Sequence, residues 1–198
     1  MWCGYPIVAT QRNCGILRAY KHTVVDPEMK RPEPSEYFEY FETYIGKFTP
    51  DDFWAEFGGQ SAQLESLLGN LPTGEDSKLH EPYTWTLKQV VGHLIDTENI
   101  FATRLLRIAV GDPTPNPDFE QNSFVAGLDY ESVAMPDLLE EFTALRRANT
   151  LLLRRLGDEQ LSRSGTASGR DVSARAIPFM MGGHVIYHME IMKKRLGV

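Results

Sequence analysis

The chain has few cysteines, no long apolar run and no excess of basic charge. Its 198 residues include two cysteines, Cys3 and Cys14, both near the N-terminus. No disulfide framework is therefore expected to support a core, and a reducing, cytoplasmic location is predicted. No apolar run approaches the roughly 18 residues that a membrane-spanning helix needs. Membrane association is not expected.

Basic residues are also scarce. The formal net charge is −7, and the one basic cluster is Lys193-Lys194-Arg195. At the end of a helix such cations complement the helix dipole. A nucleic-acid partner is therefore not expected, because such proteins normally carry a basic patch. A small-molecule substrate is the partner that we predict.

Two histidines near the C-terminus carry the strongest chemical signal. His184 and His188 lie four residues apart in GGHVIYHMEIM, so they share one face of a predicted helix. That face is otherwise apolar, with Ile177, Met181 and Ile191. Two interpretations stay open from spacing alone. The imidazoles are core residues hydrogen-bonded to neighbouring polar groups, or they bind a metal ion.

A third histidine has a similar setting, and one motif is excluded. His93 lies in VVGHLIDTENI on a second predicted helix. Three inward histidines on two helices make a metal site the hypothesis to test. The zinc-protease motif requires glutamate directly after its first histidine, and this chain has Val185 there.

Hydrophobic periodicity predicts four long helices, over 51–71, 85–110, 136–156 and 173–197. We expect an all-α four-helix bundle of residues 31–198, with 1–30 as a poorly ordered extension. A shorter helical segment is predicted to start at Ser35 and Gly157 to close the third long helix. Pro178 is expected to bend the last helix. The long connection 112–131 permits a crossover, and it is either a lid or a disordered loop.

Several motifs together resemble the DinB-like superfamily, which includes the YfiT-type proteins. These are WTLKQVVGHLIDTEN with RLLRIAVGD, then RSGTASG with DVS, and the final Gly-His and His pair. The resemblance implies a four-helix bundle with a divalent metal held by His93, His184 and His188. Relatives often have Gly-His-Glu-x-His-His in the last motif, where this chain has Val185 and Tyr187. An acid or base role for that glutamate is therefore in doubt here.

The family resemblance implies an enzyme. Either a metal-dependent hydrolase or a transferase that uses a low-molecular-weight thiol is expected. The related enzymes are bacillithiol-type S-transferases and mycothiol-dependent maleylpyruvate isomerases. A non-catalytic metal-binding or stress-associated protein is the alternative. Zinc or nickel is the expected metal, with manganese or iron as alternatives, and a homodimer is expected.

Other polar residues are candidates for roles beside the metal. Asp96 is either a base or the acceptor that orients an imidazole. Gln60 and Asn149 interrupt apolar stripes, so they contact a metal-bound water or hydrogen-bond each other. Tyr187 lies about a quarter turn from the His184–His188 face, and a role as ligand is not required. A last set is expected to form structural ion pairs, with anion binding as an alternative for the arginines: Glu98, Arg104 and Arg146.

Overall fold

The computed structural model describes residues 26–198, and in this part seven α-helices and one β-hairpin are present. In chain order they are α1 (Glu42–Ile45), α2 (Phe53–Leu68), α3 (Leu87–Ala109), α4 (Gln121–Gly127), α5 (Met135–Leu153), α6 (Asp158–Leu161), β1 (Ser164–Ala167), β2 (Arg170–Ser173) and α7 (Ala176–Leu196). Short 3₁₀ helices lie at Pro34–Glu36, Glu39–Phe41 and Tyr130–Ser132. None of the described helices is long and apolar enough to cross a membrane.

The four long helices form a bundle in which sequence neighbours are not always spatial neighbours. Helix α2 packs against α5 and α7, and α3 packs against the same two helices. Helices α2 and α3 therefore lie diagonally across the bundle, although they are consecutive long helices. The predicted four-helix bundle is confirmed, and its order departs from a simple up-and-down arrangement.

Local sequence explains where α2 and α3 begin. The Asp52 carboxylate accepts hydrogen bonds from the amides of Trp54 and Ala55, so it caps α2. The Thr86 hydroxyl accepts from the Gln89 amide, and the Gln89 side chain accepts from the Thr86 amide. This reciprocal capping box fixes the first turn of α3. The predicted start of each helix is correct to within two residues.

The structure corrects three local predictions. Glu33, rather than Ser35, occupies the N-cap position of the first 3₁₀ helix. Helix α5 ends at Leu153, and Gly157 instead precedes α6, where its amide donates to Gln160 Oε1. Pro178 is the third residue of α7. A proline in the first turn removes no intrahelical hydrogen bond, so the expected bend has no cause there.

The segments beside the bundle are more ordered than the sequence indicated. The connection 112–131 contains α4 and a 3₁₀ turn, with Glu120 capping α4. Strands β1 and β2 form an antiparallel hairpin whose tip is Ser168 and Gly169. Asn116 joins the connection to this hairpin, because its amide donates to the Thr166 carbonyl at 2.8 Å and its carbonyl accepts from the Ser168 amide. These bonds hold the hairpin tip beside α3.

Two further contacts connect the N-terminal part of the described chain to the bundle. Asp26 forms a 2.7 Å ion pair with Arg154, and the Trp54 indole donates to the Pro27 carbonyl. Residues 26–30 thus contact the bundle, although they belong to the predicted extension. The predictions for 1–25, including those on Cys3 and Cys14, lie outside the described residues.

Candidate metal centre

Three buried histidines meet between α3 and α7. His93 comes from α3, and His184 and His188 lie one turn apart on α7. Their exposed fractions are 1%, 5% and 9%. His184 Nε2 lies 3.1 Å from His93 Nε2 and 3.1 Å from His188 Nε2. One ring nitrogen from each histidine lies within 4.8 Å of the other two. The structure therefore brings the three predicted residues together.

The nitrogen spacing fits a shared ion better than a hydrogen-bonded cluster. A neutral imidazole nitrogen either donates one proton or offers one lone pair. His184 Nε2 cannot make ordinary hydrogen bonds with both neighbours at once. Two nitrogens bound to one metal at about 2.0–2.1 Å lie roughly 2.9–3.4 Å apart for angles between octahedral and tetrahedral. The two 3.1 Å distances fall in that range.

The protonation states also suit metal ligands. Burial lowers the pKa of His93 to about 4 and that of His188 to about 3. Burial, and then the two neighbouring imidazoles, hold the pKa of His184 well below its usual value. All three rings are therefore neutral at pH 7, as metal-bound imidazoles must be. The donor set fits a divalent transition metal such as zinc or nickel.

Two adjoining clefts reach the histidines. The larger has a volume of about 430 Å³ and is bordered by His93 and His184. The smaller, of about 220 Å³, is bordered by His188 and Tyr187. Tyr40, Tyr44 and Gln121 border both. The histidine cluster thus lies at the boundary between two openings.

The model of the DinB superfamily matches residues 56–192, which is more than half of the chain. The chain belongs to the DinB superfamily. The matched range includes all three histidines. No curated protein matches the chain.

Two solved structures resemble this DinB chain. YfiT from Bacillus subtilis, "a probable metal-dependent hydrolase with an unusual four-helix bundle topology", aligns with a TM-score of 0.64 and 19% identity over 79% of this chain and 98% of YfiT. A mycothiol-dependent maleylpyruvate isomerase aligns with a TM-score of 0.56 and 18% identity. That alignment covers 73% of this chain and 60% of the isomerase. At these identities the two matches establish the fold alone.

Gln60 and Asn149 belong to a buried network of this DinB bundle. Gln60 Nε2 donates to the Gly182 carbonyl at 2.8 Å, and Gln60 Oε1 accepts from Arg146 Nη1 at 2.8 Å. Asn149 Nδ2 donates to Glu98 Oε2 at 2.8 Å. Arg146 and Glu98 form a 2.5 Å ion pair. The two amides are therefore connected through this pair, and no direct hydrogen bond between them is found in residues 26–198.

Asp96 faces Tyr130 and does not hydrogen-bond to any of the histidines. Burial raises the pKa of Asp96, and the neighbouring Tyr130 hydroxyl partly opposes this. Asp96 Oδ2, Tyr130 Oη and His93 Nδ1 are all buried without a hydrogen-bond partner among the described residues. The proposed orienting bond from Asp96 to an imidazole is thus not formed here, and its role as a base stays a prediction.

Tyr187 and Tyr44 lie against the imidazoles. The Tyr187 ring is 5.2 Å from the His188 ring, and the Tyr44 ring is 5.2 Å from that of His184. Tyr44 was not predicted, because no local pattern in the sequence connects it to histidines that lie far away along the chain. Gly183 permits its approach, since a Cβ at this position would overlap the Tyr44 carbonyl group.

Proposed function

We propose that this DinB protein is a metal-dependent enzyme that binds one divalent transition metal through His93, His184 and His188. The observation that supports it is the convergence of three neutral, buried ring nitrogens where two clefts meet. A buried cluster without access would suit a structural site. Access through adjoining clefts suits a site that meets a small-molecule substrate.

The residues around the cluster limit the chemistry. Held by three protein ligands, a divalent ion supplies Lewis-acid activation of a water, thiol or carbonyl group. No carboxylate among the described residues hydrogen-bonds to the three histidines, and Val185 is buried in the core. The groups that contact the imidazoles are therefore the rings of Tyr44 and Tyr187, which pack edge to face against His184 and His188.

Two adjoining clefts beside one histidine cluster give room for two bound molecules. Hydrolysis requires one bound organic molecule besides water, whereas a thiol-dependent transfer or isomerisation requires two. We therefore place a low-molecular-weight thiol S-transferase first and a hydrolase second. The connection 112–131 borders the larger cleft through Phe119, Glu120 and Gln121, and it stays our candidate lid. A homodimer also stays an expectation.

Metal analysis tests the site directly. Elemental analysis of the purified protein is expected to give about one divalent metal per chain. The His184→Ala, His188→Ala double variant should lose nearly all of it, because a single imidazole is left. His80→Ala is the matched control, since His80 pairs with Glu75 away from the cluster and its removal should leave the metal content unchanged. Full retention of metal by the double variant would exclude the proposed ligands.

An activity panel separates the reaction classes. Bacillithiol, mycothiol, coenzyme A and glutathione are each supplied with an electrophilic acceptor, beside ester and amide substrates without thiol. We expect turnover with one thiol, lost on chelation and absent in the double histidine variant. Turnover of esters or amides alone would identify a hydrolase. A metal-loaded protein inactive on the whole panel would instead favour a non-catalytic metal-binding role.

A further inference from the structure

One face of α3 carries an arginine into the cleft that contains the histidines. Arg104 lies 11 residues after His93, which is close to three helical turns. Thr97 and Phe101 lie between them on the same face, and all four residues border the larger cleft. The spacing therefore places the guanidinium at one end of the cleft and the histidine cluster at the other.

Arg104 is a buried cation that forms no ion pair with a described residue. It is 5% exposed, and burial lowers its pKa. Its Nη2 donates to the Pro117 carbonyl at 2.7 Å and to Ser168 Oγ at 3.1 Å. No carboxylate in residues 26–198 forms an ion pair with it. Arginines this deeply buried are normally paired, because an uncompensated charge away from water is costly.

The two carboxylates that border the cleft, Glu120 and Asp118, do not form an ion pair with Arg104. Glu120 caps α4, where it accepts from the amides of Asn122 and Ser123. Asp118 lies near enough to favour the charged form of Arg104, yet it does not form an ion pair with it. Asp118 Oδ1 accepts instead from the Phe119 amide. The remaining donors of the guanidinium are available to a molecule in the cleft.

A second arginine and several aromatic rings complete the surroundings. Arg170, at the start of β2, borders the cleft, and its guanidinium lies 4.4 Å from the centre of the Phe38 ring. The Arg104 guanidinium lies 5.9 Å from the Phe101 ring centre and 5.8 Å from that of Phe119. A cationic end beside phenyl walls suits a ligand that combines an anionic group with an apolar body.

We propose that Arg104, with Arg170, binds a carboxylate or phosphate group of the substrate, whose apolar part lies against Phe101 and Phe119. The proposal rests on the proposed function only in calling the bound molecule a substrate. The Cα atoms of His93 and Arg104 lie about 16 Å apart along the helix axis. A small aromatic anion at Arg104 therefore leaves the histidine cluster free, and its binding does not depend on the metal.

The test uses benzoate and phenyl phosphate as probes, with neutral benzamide as their matched control. Each is titrated by isothermal calorimetry into the full chain, both chelator-treated and metal-loaded. At least one anion is expected to bind in both forms, with benzamide weaker by about tenfold or more, since a hydrogen bond to a charged group is worth about that factor or more. Binding of benzoate would indicate a carboxylate ligand, and binding of phenyl phosphate would indicate a phosphate ligand.

Variants assign the binding to the proposed residue. Arg104→Gln should weaken anion binding by about tenfold or more, and Arg170→Gln should weaken it less, since Arg170 is exposed. Arg107→Gln is the control, because Arg107 lies on the same helix and is already paired with Asp112 at 2.8 Å. If circular dichroism shows that the Arg104→Gln variant is unfolded, Arg104→Lys replaces it. That variant should also bind the anion more weakly than the wild type, because lysine lacks the planar guanidinium group.

Two results would overturn the proposal: no binding of either anion to the wild-type chain, or equal affinity in the Arg104 variant and the wild type. Metal content is measured on the same samples. Loss of the anion site with the metal retained argues against this subsite alone. Absence of metal with Arg104-dependent binding argues against the proposed function alone.

Discussion

Glu98→Ala is expected to lower the free energy of unfolding by about 3–5 kcal/mol, because it leaves a buried cation without its partner. Arg146 is 1% exposed and Glu98 is 2% exposed. The carboxylate accepts from Arg146 at 2.5 Å and from Asn149 at 2.8 Å. The same arginine holds Gln60, which in turn binds the Gly182 carbonyl on α7. The loss would therefore reach all four long helices.

Urea denaturation at pH 7 in the presence of a chelator measures this change without a contribution from bound metal. Glu159→Ala is the matched control. Glu159 also pairs with an arginine, Arg163, but its side chain is 76% exposed, so a loss of about 0–1 kcal/mol is expected. A Glu98 variant that behaves like the Glu159 variant would show that the buried pair is not needed. The Glu98→Leu, Arg146→Met double variant should lose less stability than the sum of the losses in the two single variants.

Gly183→Ala is expected to destabilise the protein by about 3 kcal/mol, because overpacking of a close contact forces the backbone to move. The added methyl group would overlap the Tyr44 carbonyl, which belongs to α1 and cannot rotate away as a side chain would. Helix α1 must then separate from α7 beside His184. We also expect the Tyr44 ring to leave its position against His184, which lies 5.2 Å away.

The control substitution is expected to change the stability in the opposite direction. A Cβ added at Gly58 in α2 meets no atom within 4 Å. Gly58→Ala should therefore stabilise the protein by about 0.5–1 kcal/mol, because alanine favours the helix over the unfolded chain. Chemical denaturation of both variants measures the difference. Equal stability of the Gly183 variant and the wild type would show that α1 is not held closely against α7.

The sequence predicted best those features that depend on local pattern. Helix α3 begins within two residues of its predicted start, and the i, i+4 pair His184 and His188 lies on one inward face. The bundle follows from periodicity, since each long helix has an apolar face to bury. His93 was predicted to join this pair because of its motif as well as its apolar neighbours. Spacing alone does not indicate which helices are neighbours.

The features that were missed depend on contacts between distant segments. Gln60 and Asn149 are both amides on inward faces, and nothing local indicates that Arg146 and Glu98 lie between them. The position of Arg104 in the cleft can be inferred from the sequence, because its spacing from His93 places both residues on the same face of α3. The tip of the hairpin contacts Arg104 through Ser168. Asn116 holds the hairpin in place by a hydrogen bond to Thr166, which lies 50 residues further along the chain.

The separation of the three histidines along the chain has a consequence for how the protein matures. His93 and His184 are 91 residues apart along the chain, and His188 follows on the same helix, α7. During synthesis the three side chains can come together only after α7 has been made and has docked against α3. Binding of one ion by all three histidines is therefore expected only after this docking. A chain truncated before residue 184 would lack two of the three histidines.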